Sequence, residues 1–170
     1  MDLFESLNAK HCDFIAAQKL FFVATAGAEG RVNLSPKGLD SLRIKTGSNG
    51  ESVVRWLNLT GSGNETAAHV LENGRMTIMF CSFDKQPLIL RVYGDAQMIS
   101  EGDDLWSQAI ADFPDYVGAR QIFDLQVDLV QTSCGYAVPF YDFVGERETL
   151  NKWSANKTRQ GIRGCPKHND

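Results

Sequence analysis

From residue 20 to residue 131 the chain is a succession of strand-sized apolar or alternating runs, without the regular helices that a parallel sheet needs between its strands. The runs cover 20–26, 31–35, 53–59, 75–83, 88–99 and 121–131. The last is the clearest. Leu125, Val127 and Leu129 are interleaved with Asp124, Gln126 and Asp128, the period of a half-exposed strand. Turn residues join the runs: Gly27 to Gly30, Gly47-Ser48-Asn49-Gly50, and Asp84-Lys85-Gln86-Pro87. Pro36 and Gly38 end the second run, and Gly94 inside the long run 88–99 predicts a bulge or a close backbone approach. These signals predict a mainly β protein, an antiparallel barrel or half-barrel of six strands with short flanking helices.

Helical periodicity is confined to short segments. Leu3, Phe4, Leu7, Phe14 and Ile15 suit one face of an N-terminal helix over 1–18. A second helix over 65–72 is stopped by Asn73-Gly74, and a third over 105–113, capped by Asp103 or Asp104, ends at Pro114. One or two helical turns surround Leu150 and Trp153 in a polar tail over 146–170. No repeat or linker divides the sequence, so 1–170 is expected to form a single domain, and its 43% hydrophobic content suffices for a sizeable core.

Composition removes several classes of function. A net charge of −4 with no Lys/Arg block disfavours a nucleic-acid partner. No apolar run approaches membrane-spanning length, and Met1-Asp2-Leu3-Phe4-Glu5 lacks the basic start of a secretory signal. A cytoplasmic protein is expected. Cys12, Cys81, Cys134 and Cys165 form no CxxC pair or metal-finger spacing and read as independent thiols, with Cys134 expected to be buried. No metal site is expected. His11 and His168 have no plausible ligand set. His69, alone on a short helix, reads as a surface or satisfied core residue.

One junction carries chemistry. Leu57-Asn58-Leu59-Thr60 runs into Gly61-Ser62-Gly63 and then into the helix of Asn64-Glu65-Thr66-Ala67-Ala68-His69. A strand, a Gly/Ser turn and a helix start present backbone amides to an anion. It is neither a GxGxxG fingerprint nor a P-loop. Ser62 and Glu65 also match a capping box, in which the chain's own side chains would satisfy those amides.

Ser35-Pro36-Lys37-Gly38, the run from Trp56 to His69, Arg75-Met76-Thr77-Ile78-Met79-Phe80, Leu90-Arg91-Val92-Tyr93-Gly94, Thr132-Ser133-Cys134-Gly135-Tyr136-Ala137-Val138-Pro139 and Gly145-Glu146-Arg147 together resemble the pyridoxamine 5′-phosphate oxidase-like family, in its FMN-binding subgroup rather than the vitamin-making oxidase. The resemblance implies a six-stranded split β-barrel and a homodimer with two flavins at the subunit interface. It implies a flavin lying against Asn33, Leu34, Ser35, Pro36 and Lys37, with its phosphate near Thr60, Gly61, Ser62, Gly63, Asn64 and Thr66. It further implies an FMN-dependent oxidoreductase acting on a small molecule.

The oxidase proper has Ser-Arg-Lys where this chain has Asn64-Glu65-Thr66, so two positive charges are lost and one negative charge is gained. Charge-assisted hydrogen bonds are about twice as strong as neutral ones, so the exchange removes on the order of several kcal/mol of phosphate affinity. Arg91, Lys37, Arg31, Arg75 and Arg147 are the candidates to restore it, and Arg147 and Trp153 otherwise read as a salt-bridged, packed tail. The alternative is a non-catalytic binding protein on the same barrel, taking a deazaflavin, a haem or a weakly held flavin.

Overall fold

The computed structural model describes residues 1–159. The elements in chain order are β1 (Asp2–Phe4), α1 (Ala9–Ala17), β2 (Phe21–Thr25), β3 (Asn33–Lys37), β4 (Leu42–Thr46), β5 (Ser52–Leu59), α2 (Glu65–Asn73), β6 (Arg75–Cys81), β7 (Leu88–Ser100), α3 (Trp106–Ile110), β8 (Ala119–Cys134) and α4 (Thr149–Arg159). The strands make one antiparallel sheet in the order β3-β2-β6-β7-β8-β5-β4, with β1 pairing the far half of β8. The sheet is open, with β3 and β4 at its two ends.

Among the described residues eight strands stand where six were expected. β4 alternates Leu42-Arg43-Ile44-Lys45-Thr46 and pairs with β5 across the Gly47–Gly50 tip, so the hairpin tip was legible and its first arm was not. The helix expected over 1–18 also differs. Its first residues form β1, and the helix starts only after Asn8, whose side chain accepts from the His11 N–H at 3.0 Å. His11 returns a bond from the Asn8 N–H through Nδ1 at 3.3 Å, a capping box with histidine in the usual glutamate position. His11 is thereby a buried structural residue.

The core lies inside the curl of the sheet. Trp56, Ile78, Phe80, Leu90 and Phe123 are sealed there, with the Trp56 and Phe123 rings stacked at 4.7 Å. Each such side chain contributes roughly 1.5–3 kcal/mol by its burial. A smaller cluster of Leu57, Ile99, Ala109, Phe113 and Ile122 fills the outer face beneath α3. α3 is shorter than expected, and neither Asp103 nor Asp104 caps it. Leu105 is its first flanking residue, and Asp103 instead accepts from the Ser100 N–H.

Two glycines do what their positions required. Gly74 ends α2 in the left-handed conformation, φ 69°, with its N–H on Val70 O. At Gly94 the pairing of β7 with β8 slips, and a Cβ there would collide with the Gln126 carbonyl oxygen. Cys134 is exposed rather than buried, because it is the last residue of β8. Cys81 is buried, which pushes its thiol up from the ordinary range. Cys165 and His168 lie outside the described residues.

Candidate functional site

β3 is an edge strand, which accommodates Pro36 because no neighbour needs its missing N–H. Its alternation turns Asn33, Ser35 and Lys37 inward and leaves Leu34 and Pro36 exposed. The inward row is braced. Ser35 Oγ donates to Asn33 Oδ1 at 3.2 Å, and Asn33 Nδ2 donates to Thr66 Oγ1 at 3.0 Å, which ties the strand to the first turn of α2.

Lys37 closes the row. Its Nζ lies 5.3 Å from the centroid of the Trp56 ring and donates to Asn58 Oδ1 at 3.3 Å. Asn58 is buried, and its Nδ2 is held by Gln121 Oε1 at 3.0 Å. The inward row, Asn58, the turn over 61–64, Glu65, Thr66 and Arg120 together enclose a cleft of about 400 Å³.

Arg120 was not singled out from the sequence, and the reason is local. Asn58 pairs with Gln121 while Leu59 pairs with Ala119, so Arg120 is the extra residue of a β-bulge. A bulge re-aims a side chain against the alternation of its strand. The guanidinium turns to the cleft, where Nη2 donates to Gly63 O at 2.9 Å. The almost regular alternation after residue 121 gave no hint of the slip just before it.

Lys37 and Arg120 both line the cleft and bring positive charge to it. Burial lowers the Lys37 amine below its usual range, the charge of Arg120 lowers it further, and Glu65 pulls the other way. Two cations in one partly enclosed space repel each other, and a bound anion relieves that repulsion.

The turn itself departs from expectation. Ser62 and Glu65 do not form a capping box. Asn64 is the N-cap, it makes no side-chain cap bond, and Glu65 is therefore the first helical residue rather than the third. Thr60 stands outside the cleft, its N–H and Oγ1 both directed at Gly118 O, at 2.6 and 3.1 Å. Leu34 points away from it.

Arg91 also lies elsewhere, on β7, where Nη1 donates to Ser133 Oγ at 3.2 Å. Arg75 borders a different hollow with Tyr93 and Asp128, and Arg31 and Arg147 are exposed. Arg147 makes no ion pair among the described residues, and Trp153 is half exposed beneath Lys157 rather than packed. Of the sequence-predicted site residues, Asn33, Ser35, Pro36, Lys37, Gly61, Ser62, Gly63, Asn64 and Thr66 come together. His69 is satisfied by Thr25 Oγ1 at 3.0 Å and does not line the cleft.

A curled antiparallel sheet left open between β3 and β4, with a strand-turn-helix junction beside the opening, defines the split-barrel class. The chain belongs to the pyridoxamine 5′-phosphate oxidase family, whose model matches residues 7–134. It is 40% identical over 149 residues to the pyridoxamine 5′-phosphate oxidase family protein ustO of Aspergillus flavus, covering 86% of this chain and 59% of that one. The chain thus spans 59% of the length of that curated relative. Among solved structures it is similar to HupZ of Group A Streptococcus (TM-score 0.53, 20% identity, 80% of this chain and 99% of that one). It is also similar to HutZ, the haem storage protein of Vibrio cholerae (TM-score 0.52, 21% identity, 77% and 98%). At these identities the structural likeness is one of fold.

Proposed function

We propose that the chain binds FMN in the β3–α2 cleft and serves as a flavin-dependent oxidoreductase on a small molecule. The observation that carries this reading is the convergence of Lys37 and Arg120 on the uncapped Gly/Ser turn, at one end of a wall of inward polar side chains. The fit to a flavin phosphate is one of charge. The Arg-Lys pair missing from the turn is answered by Lys37 from the edge strand and Arg120 from the bulge, so two cations face the position that two cations should face.

Asn33 and Ser35 would hydrogen-bond a polar ring edge, and their own bonds to Thr66 and to each other, which hold the row together, support this. The flavin, when bound, supplies a ring that exchanges two electrons with a donor and an acceptor. The protein's part is to bind, orient and shield it. Haem is the alternative ligand of the same barrel, and among the described residues no His, Cys, Met or Tyr lines this cleft.

A homodimer belongs to the same proposal. Tyr136, Phe140, Tyr141, Phe143 and Val144 are all exposed within one short segment after β8, a density of apolar side chains that calls for a covering surface. Light scattering on the purified chain should return twice the 18.9 kDa chain mass, and a monomer at micromolar concentration would contradict this part.

The direct test is an absorbance spectrum of purified protein, with mass identification of anything released on denaturation, followed by titration with FMN. Flavin bands, or quenching of added FMN fluorescence, are expected. A colourless protein that leaves FMN fluorescence unchanged sinks the reading. Reduction of the bound flavin by a nicotinamide donor then separates an oxidoreductase from a carrier.

A further inference from the structure

The cleft already holds an anion of its own. Glu65, the first residue of α2, folds its side chain back over the turn, so that a Cβ built on Gly63 would collide with the carboxylate and lie 3.2 Å from its Cδ. Gly63, having no side chain, is the seat that admits this conformation. The same Gly63 accepts from Arg120 through its carbonyl, so the carboxylate lies beside the guanidinium's anchor. Its charge reaches Lys37, where it offsets the effect of Arg120.

The charges decide the consequence. Lys37 and Arg120 bring positive charge to the cleft, and the Glu65 carboxylate sets a negative charge beside it. A phosphate monoester carries about −1.5 to −2 at neutral pH. With Glu65 in place a phosphate meets a like charge over the turn, and with Glu65 turned out that repulsion is removed. Glu65 is exposed, so nothing buried has to move for it to rotate away.

We infer that Glu65 is an internal counter-ion that occupies the phosphate end of the cleft in the empty protein and is displaced when a phosphate-bearing ligand enters. It is a specificity-determining residue. It lowers the affinity for phosphate esters without touching the affinity for the same ligand lacking the phosphate, and so keeps the ligand exchangeable. This rests on the flavin reading only for the choice of FMN as probe.

The test compares FMN with riboflavin, which lacks the phosphate, by fluorescence quenching on the wild type, Glu65→Gln and Gly63→Ala. Glu65→Gln should tighten FMN binding by roughly three- to tenfold, within the range of a screened surface charge interaction, and leave riboflavin within twofold. Gly63→Ala should act in the same direction, because its new methyl group evicts the carboxylate while Glu65 remains, and it keeps the test decisive should Glu65→Gln misfold. FMN affinity unchanged or weakened in both variants overturns the inference and leaves the flavin reading standing. If the wild type binds neither flavin, the flavin reading fails by itself. Inorganic phosphate is then the probe: a larger rise in Tm with phosphate for Glu65→Gln than for the wild type supports the inference, and equal or absent rises overturn it.

Discussion

Two groups of charge flank β5, and they are built to opposite ends. On the outer face Arg55 donates to Asp124 at 2.6 Å and to Asp112 at 2.8 Å, Lys45 donates to Asp112 at 2.6 Å, and Arg43 pairs with Asp40. Every cation there has a carboxylate at contact distance. On the inner face, at the end of the same strand, Lys37 and Arg120 share one cleft with the single carboxylate of Glu65, which makes no ion pair within 4.0 Å among the described residues. The outer group is closed and holds β4, β5, β8 and the end of α3 together. The inner group faces the cleft proposed above as the phosphate site, with Arg120 anchored on Gly63 O.

The proton affinities follow the same division. Arg55 is raised by its hydrogen bonds to Asp124 and then Asp112, against burial. Burial pushes the Asp112 carboxyl up, but Lys45 and Arg55 outweigh it and hold it below the usual range. Lys37 moves in the unfavourable direction for its charged form, lowered by burial and by Arg120. Pairing stabilises the outer charges, while the Lys37 charge is held at a cost that the proposed phosphate would offset.

The largest expected effect breaks the inner group. Replacing both cations, Lys37→Met with Arg120→Met, should weaken FMN by roughly a hundredfold or more, since each charged hydrogen bond contributes about 1.5–3 kcal/mol. The double variant also loses the bonds to Gly63 O and Asn58 Oδ1, so urea unfolding is measured beside the titration to separate a loss of binding from a loss of folding. Unchanged FMN affinity in a titration would show that the phosphate lies elsewhere.

Breaking the outer group should do the reverse. Arg55→Met leaves Asp124 without its cation and Asp112 with only Lys45. With the Arg55 side chain 13% exposed, the loss in urea unfolding should be about 2 kcal/mol, below the 3–5 of a fully buried pair. FMN affinity should remain within threefold. A variant as stable as the wild type would reduce the network to surface decoration.

A smaller effect separates the groups by pH. The Asp112 carboxyl is lowered in the folded state, so its contribution is present above its unfolded pKa and is lost as pH falls through the folded one, below about pH 4. The Lys37 amine is lowered, and a phosphate favours its charged form. FMN affinity should therefore fall as pH rises through the lowered value, before the ~10.4 of an ordinary lysine. Stability should weaken at acid pH in wild type more than in Asp112→Asn, and FMN binding should weaken at alkaline pH while riboflavin binding holds. Parallel alkaline loss of both flavins would remove Lys37 from the phosphate.

The barrel was legible wherever a residue's face followed from period two or from a glycine. The strands around Val23, Ile78, Val92 and Leu125, the stop at Gly74 and the bulge at Gly94 all belong to that kind. The inward row of Asn33, Ser35 and Lys37 was legible too, since alternation survives Pro36 on an edge strand. What stayed hidden depended on tertiary pairing. β1 takes its three residues from the pattern of a helix because β8 offers them an edge. The Asn8–His11 box uses a side chain that sequence rules do not expect at that position. Ser62 and Glu65 have the spacing of a capping box, but α2 begins two residues later than that box requires. Arg120 turns to the cleft only because the register slips between Asn58 and Leu59. Site residues on regular elements could be read from the sequence, and the one placed by an irregularity could not.

The claim that matters most is that the cleft holds a flavin by its phosphate. The ratio of FMN to riboflavin affinity in the wild-type protein measures it most directly, by quenching titrations under one buffer and salt condition. Contacts from Lys37 and Arg120 predict a preference for FMN of roughly tenfold or more, one that shrinks as salt is raised. Equal affinities for the two flavins, or a preference that salt leaves unchanged, would contradict the account.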